Sequence, residues 1–220
     1  MKKYTMLLLA LAACGSEKSG PEPIDPSTLP STNIYEPEAF QLDTDSSGVP
    51  SQCPGPDHPV GLNVGDTFPS VQFPNVDWEP VNIKSLCGSG AILVVAATEW
   101  CGACIVEFDY LAEVATDWRE RGVEIYYTLF EDRAGQPAGP RTLMAFESYM
   151  LDVHGTVPFR VLADPTASLP RSLNQGVSLP VAWGLDEQMV IRNFSEGTNG
   201  PMVSDWVEDI LARPPASPIF

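Results

Sequence analysis

The sequence predicts an α/β fold, and three observations carry that expectation. The run AILVVAAT, residues 91–98, is apolar throughout, as a strand covered on both faces of a sheet is. After it, Cys104, Phe108, Leu111, Ala115 and Trp118 recur in alternating steps of four and three, the period of one helix face. From there strand-like and helix-like segments alternate in the order β-α-β-α-β, followed by a hairpin and a last helix.

Each element has its own signal. VGDTFPSVQFPNVDWEPVNIKSLCGSG reads as short extended pieces broken by Gly and Pro. Gly122 supplies a stop for the helix that begins at Gly102. VEIYYTLF is the next strand, with EDRAGQPAGP as the loop behind it, and RTLMAFESYMLDVHG is a helix ending at Gly155. FRVLADP is a short strand closed by Asp164 and Pro165. LPVAWGLDEQMVIRNFSEG reads as a hairpin: Val181–Leu185, a turn around Asp186 and Glu187, then Met189–Phe194. In GPMVSDWVEDILAR, a proline suits the first helical turn and Val203, Val207 and Ile210 share a face.

The region before residue 53 is of another kind. MKKYTMLLLALAAC has two lysines, an apolar stretch from Met6 to Ala13, and a cysteine. A bilayer core needs about 20 apolar residues, so this stretch suits a signal-peptide core rather than a membrane span. Its ending, LAAC, resembles the bacterial lipobox, in which cleavage precedes the cysteine and the thiol takes a diacylglycerol. The expectation is a leader over residues 1–13, with lipidation and a membrane anchor at Cys14. No aspartate follows Cys14, which in a Gram-negative cell points to the outer membrane. Residues 14–52, rich in Ser, Thr, Pro, Asp and Glu, read as a tether with a reach of about 30–35 Å. The folded domain is expected over residues 53–215.

The formal charge of −17 leaves no basic stripe to track phosphates, so nucleic acid is not an expected partner. The chain has five cysteines, an odd number. Assigning Cys14 to lipid leaves Cys53, Cys87, Cys101 and Cys104, for which three pairings exist. If Cys101 and Cys104 form one couple, Cys53 and Cys87 remain as a structural disulfide. Closing that loop is worth about 3–4 kcal/mol on a chain-entropy argument. An oxidising, extracytoplasmic setting suits such a bond.

A buried strand ending in EWCGAC and running into a helix resembles the thioredoxin fold. The region from about residue 64 to 211 is similar to tethered extracytoplasmic thiol–disulfide oxidoreductases of the TlpA/ResA type. The resemblance rests on the opening NVGDTFPSVQF, on WCGAC, on FRVLADP and on GVSLPVAWGLDEQMVIRNFSEG. It implies a central mixed β-sheet flanked by helices, and an enzyme that exchanges disulfides with exported proteins without a cofactor. It also implies a cis bond before Pro180, with the proline lying against the CxxC and Leu179 offering backbone to an extended substrate. Most such relatives act as reductants and need a redox partner to recharge them.

Two cysteines separated by two residues sit in one helical turn, close enough for a reversible disulfide. The unpaired N–H groups at a helix start favour thiolate at the first sulfur. Cys101 is therefore the expected nucleophile and Cys104 the resolving thiol. Trp100 supplies an apolar shoulder for the substrate. Two features depart from thioredoxin: Val95 stands where a buried aspartate would accept a proton, and Gly102-Ala103 replaces Gly-Pro. Glu99 and Glu107 are candidates for the missing proton acceptor, with surface positions the plainer expectation for both.

Three other readings are open. A thiol peroxidase shares the redoxin opening and a threonine, Thr98, three residues before the cysteine, but Val94 stands where such enzymes carry proline. A copper-delivery protein would have three residues between its cysteines and a distal histidine. Here His58 and His154 lie in unrelated segments, so no metal site is expected. An idle thioredoxin-like module with a permanent disulfide is the third.

Overall fold

The computed structural model describes residues 58–173 and 176–213. The leader, Cys14, the tether, Cys53 and the last residues of the expected domain lie outside the described residues. Cys87 is disulfide-bonded, but its expected partner Cys53 is among those not described. No helix among the described residues is long and apolar enough to cross a membrane.

Two short strands, β1 (Gln72–Pro74) and β2 (Pro80–Asn82), form an antiparallel hairpin. A 3-10 turn, Ile83–Leu86, leads from it to β3 (Ala91–Thr98). Then follow α1 (Gly102–Glu120), β4 (Val123–Glu131), α2 (Pro140–His154), β5 (Arg160–Ala163) and a single turn, α3 (Ser168–Arg171). A hairpin of β6 (Val181–Asp186) and β7 (Ile191–Glu196) and the helix α4 (Gly200–Leu211) close the fold.

The main sheet has the order β5-β4-β3-β6-β7. Strands β3, β4 and β5 are parallel, and β6 and β7 are antiparallel to their neighbours, so the sheet is mixed as expected. All eight residues of β3 are buried because both faces of the sheet are covered. Ala91, Leu93, Val95 and Ala97 point to a core shared with Phe108, Leu111 and Trp118 of α1, Phe146 of α2 and Val207 of α4. Ile92, Val94 and Ala96 point the other way, to Phe68, Val71, Phe73 and Ile83. The Gly- and Pro-broken opening thus serves as the second layer of the sandwich, in place of a helix.

Gly122 (φ +79°) and Gly155 (φ +71°) follow α1 and α2 in the left-handed region, where each helix was expected to stop. The second hairpin strand begins two residues later than the sequence reading placed it. Asp186 holds the turn open that far: its carboxylate accepts from Gln188 N–H (2.9 Å) and Val190 N–H (3.0 Å) and pairs with Arg192. Met189, at φ +64°, completes the turn. The single turn α3 had no periodicity to announce it.

Candidate active site

Strand β3 delivers the chain to the site. After Thr98, a two-residue turn of Glu99 and Trp100 leads to Cys101, which is still extended (φ −82°, ψ 106°) and is the N-cap of α1. Its Sγ accepts the backbone N–H of Cys104 at 3.2 Å, the bond that Ser or Asp makes at an ordinary N-cap. Cys101 and Cys104 form a disulfide with Cα atoms 5.2 Å apart. Cys101 is the more accessible of the two, 8% exposed against 1% for Cys104. Cys101 thus combines the helix-start position, the cap and the greater accessibility of the pair.

The Leu179–Pro180 peptide is cis. Val181 pairs with Ala96, which places Pro180 at the end of the sheet where β3 leads into Cys101. Leu179 is half-buried and packs against both cores. The carbonyl of Pro180 accepts from the N–H (3.1 Å) and the hydroxyl (3.3 Å) of Thr198. One step earlier, Ser178 N–H donates to the Glu196 carboxylate at 3.0 Å, and Gly197 N–H donates to the Ser178 carbonyl at 2.9 Å. The end of β7 thus holds the proline loop from behind.

Glu107 is not a surface residue, contrary to expectation: it is 1% exposed. It lies three residues beyond Cys104 and so shares the buried face of α1 with it. Neither of its carboxylate oxygens makes a hydrogen bond. Burial pushes its carboxyl up to about 7, and the nearby Thr198 hydroxyl, which favours ionisation, is oriented to the Pro180 carbonyl instead. Glu99 is also buried rather than exposed, at 8%. Its carboxylate accepts the Arg133 N–H at 3.0 Å, while burial raises its carboxyl above the usual range. Val95 is fully buried in the core, as the residue that replaces an aspartate there should be.

Three groups at the site had no announcement in the sequence. Tyr127 donates its hydroxyl to the Cys104 carbonyl at 2.7 Å. Burial, with Glu107 and Asp109 nearby, holds its phenol well above the ordinary value, so it stays a neutral donor. Thr198 bridges the proline loop and the neighbourhood of Glu107. Glu131 accepts the Trp100 indole N–H at 2.7 Å. These residues come from β4 and the segment before α4, and only tertiary pairing brings them to α1. For Glu107 there was a usable signal: it falls between Cys104 and Leu111 on the stripe that predicted the helix.

His154 ends α2, as expected, and its Nε2 lies 3.4 Å from Asp109 Oδ1, an oxygen that also accepts the Tyr149 hydroxyl. Among the described residues no group of three or more His, Cys, Asp or Glu side chains is placed to hold a metal ion.

A mixed sheet, a disulfide on the first turn of the helix after its central strand, and a cis-proline loop at the same end define a thioredoxin-like redoxin. The chain belongs to the AhpC/TSA family, which it matches over residues 64–194. It is 36% identical over 66 residues to the thiol-disulfide oxidoreductase ResA of Oceanobacillus iheyensis. That stretch is 28% of this chain and 34% of the relative, so the chain spans about a third of the length of that protein. The fold is also similar to the thioredoxin domain of a thiol-disulfide oxidoreductase from Bacteroides vulgatus. There the TM-score is 0.53 at 16% identity, over 69% of this chain and 99% of that one. Peroxidoxin BcpB of Mycobacterium tuberculosis shares the fold with a TM-score of 0.55 at 12% identity, over 70% of this chain and all of the other.

Proposed function

We propose that the protein is a thiol–disulfide oxidoreductase of the cell envelope that passes electrons from its Cys101/Cys104 dithiol to disulfides of exported proteins. The observation that carries this reading is the Cys101 sulfur itself. It caps the helix, accepts the Cys104 N–H, and is the more accessible half of the couple. A thiolate there sits at the positive end of the helix dipole.

In the reductive direction, the Cys101 thiolate attacks a substrate disulfide, forming a mixed disulfide and releasing one substrate thiolate, which takes up a proton. The Cys104 thiol then loses its proton and attacks the Cys101 sulfur, breaking the mixed disulfide and releasing the second substrate thiolate. Two electrons leave the dithiol and the intramolecular disulfide remains. Glu107, on the same buried face as Cys104 and with a carboxyl near neutrality, is the group suited to accept the Cys104 proton. Leu179 and Trp100 provide the substrate surface on either side of the couple. The leader and the LAAC sequence support lipid anchoring at Cys14, and a membrane-side redox partner recharges the couple.

The test is trapping. Cys104→Ala is expected to accumulate mixed disulfides with exported proteins, and Cys101→Ala to accumulate none. Failure of both variants to trap, together with wild-type protein unable to reduce insulin, would sink the reading. The direction of electron flow follows from the reduction potential of the couple and its redox state in cells. A thiol peroxidase is the second reading, favoured by Thr98, whose buried Oγ1 makes no hydrogen bond three residues before Cys101. Rapid turnover of hydrogen peroxide by the reduced protein would establish it instead.

A further inference from the structure

The half-exposed indole of Trp100 is held from the neighbouring strand. Strands β3 and β4 run in register from Ala91↔Val123 to Ala97↔Leu129, and then the register shifts, so that Thr98 pairs with Glu131. Phe130 is the extra residue of a bulge. Bulges of this kind re-aim the side chain that follows them. Without the bulge Thr98 would lie opposite Phe130, and Glu131 would share the face of Leu129. With it, Glu131 turns to the Thr98 side of the sheet, its carbonyl accepts the Glu99 N–H at 3.0 Å, and its carboxylate receives the Trp100 indole N–H at 2.7 Å.

The acceptor stands on a stiff support. Asp132 N–H donates to the Gln136 carbonyl at 2.7 Å, and the Asp132 carboxylate takes the N–H groups of Ala134 and Gln136, both at 2.8 Å. Arg133 N–H is fixed to Glu99, and Glu131 bridges to Pro137. The loop after β4 is therefore tied to the turn before Cys101 at two points, both on Glu99, whose N–H donates to the Glu131 carbonyl and whose carboxylate accepts the Arg133 N–H. The indole is 50% exposed, so the core alone does not fix its orientation. A charge-assisted bond to a rigid acceptor does.

We propose that Glu131 is a positioning residue that sets the Trp100 indole as a fixed apolar wall beside Cys101, so that protein substrates meet a preorganised surface. This deepens the reading above and rests on it. Preorganisation lowers the ordering cost of binding rather than the barrier of thiol exchange. Loss of the bond should therefore raise KM for a protein disulfide and leave kcat and the rate with a small disulfide unchanged.

The experiment is a double-mutant cycle with insulin and with a small aromatic disulfide as substrates. Glu131→Leu is expected to raise KM for insulin about 5- to 10-fold. Glu131→Gln, which keeps an oxygen acceptor, should recover most of that loss. In a Trp100→Phe background, where no N–H exists, Glu131→Leu should add nothing. The nitrogen-15 resonance of the Trp100 indole should move in Glu131→Leu and stay near its place in Glu131→Gln. An equal effect of Glu131→Leu with and without the indole N–H would overturn the proposal, since the carboxylate would then act on its own. An unchanged KM alongside a shifted indole resonance would also overturn it. Wild-type protein inactive on insulin would overturn the parent reading, and this one with it.

Discussion

The hydroxyl of Tyr127, on β4, donates to the carbonyl of Cys104, in the first turn of α1, at 2.7 Å. This bond fixes the redox turn to the sheet from below, while the Tyr127 ring packs edge-on against Phe108 one turn further along (5.0 Å between centroids). Tyr127→Phe keeps the ring contacts and removes only the donor. We expect a loss of about 1 kcal/mol in chemical denaturation, and a faster amide hydrogen exchange in the first turn of α1 than in its middle. Unchanged exchange there would mean that the disulfide and the cap hold the turn without Tyr127.

Glu107 gives the protein a pH dependence of defined sign. The folded-state value of about 7 lies above the ordinary glutamate value of 4.5, so between the two the folded protein holds the extra proton. Its contribution to stability is fully present below about pH 4.5 and is lost as pH rises through about 7. The shift corresponds to about 3 kcal/mol. Glu107→Gln cannot titrate. The stability difference between wild type and variant should therefore move by about 3 kcal/mol against wild type from pH 4 to pH 8. Insulin reduction should show the converse: wild-type rate rising through pH 7, and the variant slower by about 100-fold without that inflection. Parallel stability curves for the two proteins would show that the carboxyl titrates normally.

The parts of this design that were legible in the sequence are those set by local period and local chemistry. The apolar run of β3, the four-three spacing of α1, the two glycines that end α1 and α2, and the CxxC at the helix start are all read within one element. What was not legible depends on which strand lies beside which. Tyr127, Thr198 and Glu131 reach the site only through the parallel pairing of β3 with β4, the bulge at Phe130 and the return of the chain from β7 into α4. Glu107 was misjudged because a carboxylate on a helix is ordinarily solvated. Its position on the buried stripe outweighed that preference.

Gly200 is a point of close approach between α1 and α4. A Cβ placed there would lie within the ring of Tyr110, whose hydroxyl is bonded to Ser204 at 2.7 Å. Alanine is the better helix former by about 1 kcal/mol, yet the overlap requires the two helices to part. Gly200→Ala is expected to cost about 1–3 kcal/mol net, read as a fall in thermal midpoint. Pairing it with Tyr110→Leu, which vacates the space, should recover part of the loss. Additive losses in the double variant would place the cost in the α4 backbone instead.

The Cys101 sulfur also contributes to folding as a cap. Its bond to the Cys104 N–H satisfies one of the donors that a helix start leaves open. Serine offers an oxygen to the same N–H, and alanine offers nothing. Neither variant can form the disulfide, so the comparison isolates the cap from the covalent link. Cys101→Ser should be more stable than Cys101→Ala by about 1 kcal/mol in denaturant titrations under reducing conditions, with reduced wild type beside them. Both should be equally inactive in insulin reduction, since neither has the nucleophilic sulfur. Equal stability of the two variants would mean that the sulfur contact is a consequence of the disulfide and not a cap in the reduced protein.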